Sequence, residues 1–340
     1  MIRRPFFFTL ICLSLMLFGA CAVQQSRING VSFVAQSNPV DTSHVRPIHL
    51  VNANYAAIMP FGFIRETSDP QIYFNTDRQW FGETVDGVAQ YVSELHKEGI
   101  AVMLKPQIWI WQGEYTGTLE MTSETDWQKL EASYSEFILT YARQAKELKI
   151  PIFCIGTELE KFVAARPEYW NALIDEIRTI YKGKLTYAAN WDEYKRVSFW
   201  EKMDYVGVDA YFPISPDRTP SMESAIAGWQ PWLDELESVS TRVDRPVLFT
   251  EYGYRSVNHA GAEPWQSNRM EGSINMEAQE VLLQALYEAV WDQEWFAGGF
   301  VWKWFIDHDR VGGADNNMFT PQNKPAQGLI REHYGSYQKD

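Results

Sequence analysis

Short apolar runs of strand length alternate with longer helical stretches from Gly30 onward, eight times over. The apolar runs fall at about 30–35, 55–60, 101–107, 152–158, 185–190, 205–209, 246–254 and 298–304. Helical stretches follow them at about 45–51, 84–98, 123–148, 167–181, 197–202, 222–239, 276–292 and 325–334. In the second of these, Val85, Val88, Val92 and Leu95 share one face, and Gly99 supplies a C-terminal stop. Strands that alternate with helices pair in parallel. Eight such units over about 310 residues close into a (β/α)8 barrel, here one domain from 30 to 340. A doubly wound sheet is the alternative. It calls for a glycine-rich turn after the first strand, and residues 34–39 contain no glycine.

Two of the eight runs share an ending. One reads Ile152-Phe153-Cys154-Ile155-Gly156-Thr157-Glu158, and the other Pro246-Val247-Leu248-Phe249-Thr250-Glu251. A carboxylate at the end of a buried strand is costly unless it faces a polar cleft or meets a partner. These are the fourth and seventh strands, so a barrel brings both glutamates to its C-terminal mouth, where catalytic groups collect. The other strand ends at that mouth supply Lys105, Trp109, Asn190, Trp191, Asp209, Tyr211, Tyr252, Tyr254 and Trp302. Acids, amides and large flat rings suit a carbohydrate, whose apolar ring faces take aromatics and whose hydroxyls take polar groups. Fourteen Trp and seventeen Tyr leave a surplus beyond core filling. Lys105 is expected to face the cleft. Asp209 reads either as a sugar ligand or as an ion-pair partner of Lys105 or Arg255, and Asn190 either as a sugar contact or as a turn former.

Other chemistries find no footing. A formal net charge of −14 argues against nucleic acid and against binding anionic lipid by surface charge. His44, His49, His96, His259, His308 and His333 show no metal-ligand spacing, and neither a Gly-x-Ser-x-Gly elbow nor a phosphate loop occurs. No metal and no cofactor are expected. Cys12, Cys21 and Cys154 offer no disulfide framework, and Cys154 reads as a small buried hydrophobe. The first twenty residues have a cationic start at Arg3 and Arg4, an apolar run from Phe6 to Phe18 and small residues after it, the pattern of a signal peptide. Its end resembles a bacterial lipobox with Phe18 in the usual leucine position. That makes Cys21 the expected lipidation site and 21–29 a tether. The expectation is therefore an exported, monomeric lipoprotein of the bacterial cell envelope, held to the outer membrane or periplasmic face by that lipid. The alternative is ordinary cleavage after Ala22 and a secreted protein.

Glutamates on strands four and seven with a Trp on strand eight resemble the clan A retaining glycoside hydrolases. Within that clan the chain looks most like the family 113 β-mannanases over nearly its whole length. The likeness is carried by Ile58-Met59-Pro60-Phe61-Gly62, Leu104-Lys105-Pro106, Gly156-Thr157-Glu158-Leu159, Val208-Asp209-Ala210-Tyr211-Phe212-Pro213 and Thr250-Glu251-Tyr252-Gly253-Tyr254. Thr157 stands where the clan's commoner signature has Asn. The resemblance implies that Glu251 is the nucleophile and Glu158 the general acid/base of a retaining enzyme acting on a β-linked, mannose-containing polysaccharide. Such an enzyme needs its two carboxyls about 5–5.5 Å apart, one ionised and one protonated. Tyr252, Tyr254 or Tyr211 would then hydrogen-bond Glu251. The alternatives are another β-glycan, such as a β-glucan, as substrate, and a surface glycan-binding protein without turnover.

Overall fold

A closed barrel of eight parallel strands carries a second, two-stranded sheet at its mouth. The computed structural model describes residues 27–267 and 272–337, so the expected signal peptide and Cys21 lie outside the described residues. In chain order the strands are β1 (Ile28–Phe33), β2 (Tyr55–Ile58), β3 (Phe61–Ile64), β4 (Ala101–Leu104), β5 (Gln107–Ile110), β6 (Ile152–Thr157), β7 (Lys184–Asn190), β8 (Val206–Asp209), β9 (Val247–Tyr252) and β10 (Phe296–Trp304). The helices are α1 (Thr42–Val45), α2 (Val85–Lys97), α3 (Glu124–Glu147), α4 (Glu160–Ala165), α5 (Pro167–Ile180), α6 (Met222–Val243), α7 (Met276–Val290) and α8 (Pro325–Gly335). The barrel runs β1-β2-β4-β6-β7-β8-β9-β10 and returns to β1. The two weak helical stretches are short 3-10 turns, Arg46–Val51 with Pro47 in its first turn and Trp200–Lys202.

Four of the helices, α2, α3, α6 and α7, start where side chains satisfy their first free amides. Thr84 accepts from Gly87 N–H, Ser123 from Asp126 N–H, Ser221 from Ser224 N–H and Asn275 from Ala278 N–H. Alternate strand residues then face opposite sides. Ile28, Ala57, Met103, Ile152, Leu248 and Phe300 form the core inside the barrel. Val31, Ala56, Val102, Phe153, Val208 and Phe249 belong to the larger core shared with the helices. Gly30 leaves room for the Phe300 ring, because a Cβ there would lie 2.3 Å from Phe300 Cδ1. The last helix closes the ring from outside: the Tyr334 hydroxyl of α8 donates to Gly30 O at 3.0 Å.

The small sheet was not expected. Sequence reading runs the third strand on to Gln107 and treats 61–80 as a loop. Instead Pro60 and Pro106, which carry no N–H, interrupt two neighbouring barrel strands at the same level. Lys105 N–H donates to Ile58 O at 2.8 Å and Gln107 N–H to Pro60 O at 2.9 Å, so the pairing resumes beyond the break. β3 and β5 continue in parallel there, with Phe61 opposite Gln107 and Phe63 opposite Trp109.

Candidate active site

Both strands that end in Thr-Glu are irregular at that end. In β9, Phe249 pairs with Val208 and Glu251 with Asp209, so β9 holds one more residue than β8 across the same step. The step from Phe249 to Tyr252 is also one residue longer than its partner step in β10, from Gly299 to Val301. β6 does the same against β7, with Cys154 opposite Thr186 and Thr157 opposite Ala188. An extra residue in a strand re-aims the side chains beside it. In β9 it lets two consecutive side chains serve the barrel interior. Thr250 Oγ1 donates to Asp209 Oδ1 at 2.7 Å, and Glu251 reaches a separate set of donors. After β6, Glu158 takes left-handed backbone with φ 50, a conformation disfavoured for residues with a Cβ.

The two glutamates meet different surroundings. Glu251 Oε1 accepts from the Lys105 ammonium and, at 3.0 Å, from Gln107 Nε2. Its Oε2 accepts from the Tyr211 hydroxyl at 2.8 Å. Lys105 also donates to Asp209, at 3.1 Å to Oδ1 and 3.2 Å to Oδ2. Burial by itself would lower the Lys105 ammonium, but the charges of Asp209 and Glu251 reverse that and hold it above its usual value. Burial and then the Glu251 charge raise the Asp209 carboxyl; even so, Lys105 and Thr250 both donate to it, the geometry of an ion pair. Burial and then the Glu251 charge keep the Tyr211 phenol protonated, so it stays a donor. No hydrogen bond reaches the Glu158 carboxyl among the described residues. Burial, then the charges of Asp209 and Glu251, push its pKa well above the usual carboxylate range.

These groups open into one cleft of about 1110 Å³. Glu158, Glu251, Asp209, Tyr211, Asn190, Trp191, Trp109 and Trp302 all line it. Asn190 Nδ2 donates to the Tyr115 hydroxyl at 3.0 Å, and Asn190 Oδ1 accepts from Trp191 N–H. Trp191 stacks on Trp265 with ring centroids 5.1 Å apart. The Lys303 ammonium lies 5.0 Å from the Trp302 ring centroid. Three expectations need correction. Lys105 does not line the cleft: its side chain is 0% exposed, beneath Asp209 and Glu251, where no sugar can touch it. Tyr252 points away, its hydroxyl 3.0 Å from that of Tyr287 and 2.5 Å from that of Tyr334, because the extra residue in β9 turns it to the helix side. Tyr254 is buried and absent from the cleft, and its hydroxyl has no partner among the described residues.

The cleft takes in Gln107 at the end of the third strand, and also residues that sequence reading passed over: Phe61, Phe63, Trp80, Tyr115 and Trp265. Phe61 and Phe63 were legible only as alternate aromatics in an assumed loop. Trp80, Tyr115 and Trp265 sit in connections that carry no motif. The peptide between Trp302 and Lys303 is cis. Among the described residues, no group of three or more His, Cys, Asp or Glu side chains is placed to hold a metal ion.

A parallel eight-stranded barrel with acids from its fourth and seventh strands under aromatic walls defines the class, a barrel hydrolase of glycosidic bonds. The family model of Glycoside Hydrolase Family 113 matches residues 37–324, and the chain belongs to that family. Among solved structures, the family 113 β-mannanase AaManA from Alicyclobacillus acidocaldarius in complex with ManMIm matches with a TM-score of 0.81 at 24% identity, over 92% of this chain and 98% of that one. A family 113 β-1,4-mannanase matches with a TM-score of 0.81 at 21% identity, over 92% of this chain and 100% of that one. A β-glucuronidase from Faecalibacterium prausnitzii matches at 0.60 and 17% identity, over 91% of this chain and 49% of that one. At these identities the likeness is one of fold. No curated protein sequence matches the chain.

Proposed function

We propose that this glycoside hydrolase cleaves a β-linked, mannose-containing polysaccharide with retention, by double displacement on Glu251 and Glu158. One observation carries the reading: two glutamates share a cleft, one held by three donors including an ammonium, the other with no donor and a raised pKa. Environments that push two carboxyls apart assign their roles. A carboxylate only accepts, so Glu251 suits the nucleophile, and a carboxyl kept neutral by burial and like charge suits the acid.

In the first step Glu251 forms a bond to the anomeric carbon. The bond from that carbon to the leaving oxygen breaks, and the Glu158 proton passes to that oxygen. In the second step water attacks the anomeric carbon, Glu158 takes its proton, and the ester bond breaks to restore the Glu251 carboxylate. Lys105, Gln107 and Tyr211 hold Glu251 in place throughout. Asp209 shares Lys105 with the nucleophile and so limits the positive charge that Glu251 feels. The walls of Trp109, Trp191 and Trp302 supply flat faces for successive sugar rings. Mannose is supported by the family 113 β-mannanases that share the fold.

The test joins a variant to a product analysis. Glu251→Ala should lower hydrolysis of β-mannan oligosaccharides by a factor on the order of 10³ or more. Proton NMR of the first-formed product of the wild-type enzyme should show the β anomer. Intact activity in the variant, or an initial α anomer, overturns the assignment.

A further inference from the structure

The turn that carries Glu158 is gripped from the side away from the cleft. The next amide, Leu159 N–H, donates to the Tyr187 hydroxyl at 2.6 Å. That hydroxyl donates in turn to Glu193 Oε1 at 2.9 Å. The second oxygen of the same carboxyl, Oε2, accepts from Asn190 N–H at 3.1 Å. Tyr187 is fully buried, Glu193 is 1% exposed, and neither lines the cleft. A buried carboxyl with no cation bonded to it is an expensive group to keep, and burial raises the Glu193 pKa to about 8. One of its oxygens holds the Tyr187 hydroxyl that grips the turn presenting Glu158, and the other accepts from the backbone of the turn presenting Asn190. The left-handed φ of 50 at Glu158 adds to the demand, since such backbone persists only where its surroundings over-determine it.

We infer that Glu193 is a positioning residue for Glu158: through the Tyr187 hydroxyl it fixes the Leu159 amide, and with it the left-handed turn that aims the Glu158 carboxyl at the leaving oxygen. The inference rests on the reading of Glu158 as general acid. It predicts a defect confined to proton delivery. A sugar leaving group needs that proton when its bond breaks, and a dinitrophenolate does not. A clamp that merely stabilised the barrel would affect both substrates alike.

The experiment compares kcat/KM, which reports the first bond cleavage, on a β-mannan oligosaccharide and on dinitrophenyl β-mannobioside. Tyr187→Phe removes only the hydroxyl. Glu193→Asp keeps both oxygens but shortens their reach, and Glu193→Gln keeps the shape and a single acceptor. Tyr187→Phe and Glu193→Asp should each lose about tenfold or more on the oligosaccharide and less than about twofold on the dinitrophenyl substrate. Glu193→Gln should fall between these and the wild type. Equal losses on both substrates, or no loss on either, in Tyr187→Phe and in whichever Glu193 variants fold, overturn the inference. Glu158→Gln run alongside separates the two levels. If it lacks the same selective loss, the acid assignment fails and the positioning role goes with it. If it shows that loss while the Tyr187 and Glu193 variants do not, only the positioning role fails.

Discussion

Lys105 brings one positive charge to a group of three carboxyls, Asp209, Glu251 and Glu158. It bonds two of them, and the third, without a donor, is left to keep its proton. That division makes Lys105 the residue on which the site's charge state turns. Lys105→Met would leave Asp209 and Glu251 buried side by side without a counter-ion. Breaking a buried pair by removing one partner costs about 3–5 kcal/mol, so urea unfolding should show a loss of that order together with loss of hydrolysis. An unchanged unfolding midpoint contradicts the account. Glu158 gives a pH-dependent test. Its folded pKa is raised, so between the unfolded value and that raised value the folded state holds more protons than the unfolded chain. Stability then falls as pH rises through that window, starting from about pH 4. Glu158→Gln, which cannot ionise, should therefore gain in melting temperature over the wild type at pH 7 and gain little at pH 4. Equal gains at both pH values would rule out a raised Glu158.

Among the elements, the paired strands β3 and β5 matter most for function. They extend two barrel strands beyond Pro60 and Pro106 and carry Phe61, Phe63 and Trp109 into the cleft wall. Trp109 is 48% exposed and stands edge-on to Phe61 with centroids 6.5 Å apart, so one face is free for a ligand. Apart from Gln107, which bonds Glu251, the aromatic face of this wall makes no hydrogen bond to Glu158 or Glu251 among the described residues. Its contribution should therefore fall on binding rather than on bond cleavage. Trp109→Ala should raise KM on long β-mannan chains by about tenfold with kcat nearly unchanged, a loss of about 1.4 kcal/mol. A fall in kcat at constant KM would place Trp109 at the reacting centre instead. The irregular ends of β6 and β9 are the other element that counts. They turn a repeated Thr-Glu ending into two carboxyls with different neighbours.

For the molecule as a whole, the barrel fixes one mouth and the helices hold it shut, with Tyr334 of α8 joined to Gly30 and Tyr252. Among the described residues no helix is long and apolar enough to cross a membrane. We propose that the protein is exported and held to the bacterial cell envelope through an acyl chain on Cys21. Mass spectrometry of the mature N-terminus should find acylated Cys21, and a start at Val23 would dispose of the anchor. How much of this was legible in the sequence follows from the range of the forces involved. The eight-fold alternation, the helix stop at Gly99 and the two Thr-Glu strand ends are written in neighbouring residues, because backbone periodicity and capping act within a few positions. They sufficed for the barrel and for bringing Glu158 and Glu251 to one cleft. Other features depend on how strands far apart in the chain line up: which tyrosine reaches Glu251, that Lys105 lies under the cleft rather than in it, and that Pro60 and Pro106 break their strands at one level. A single extra residue in β9 sends Tyr252 outward and leaves Tyr211 to bond Glu251. That choice is made by register between strands, which no local stretch of sequence contains.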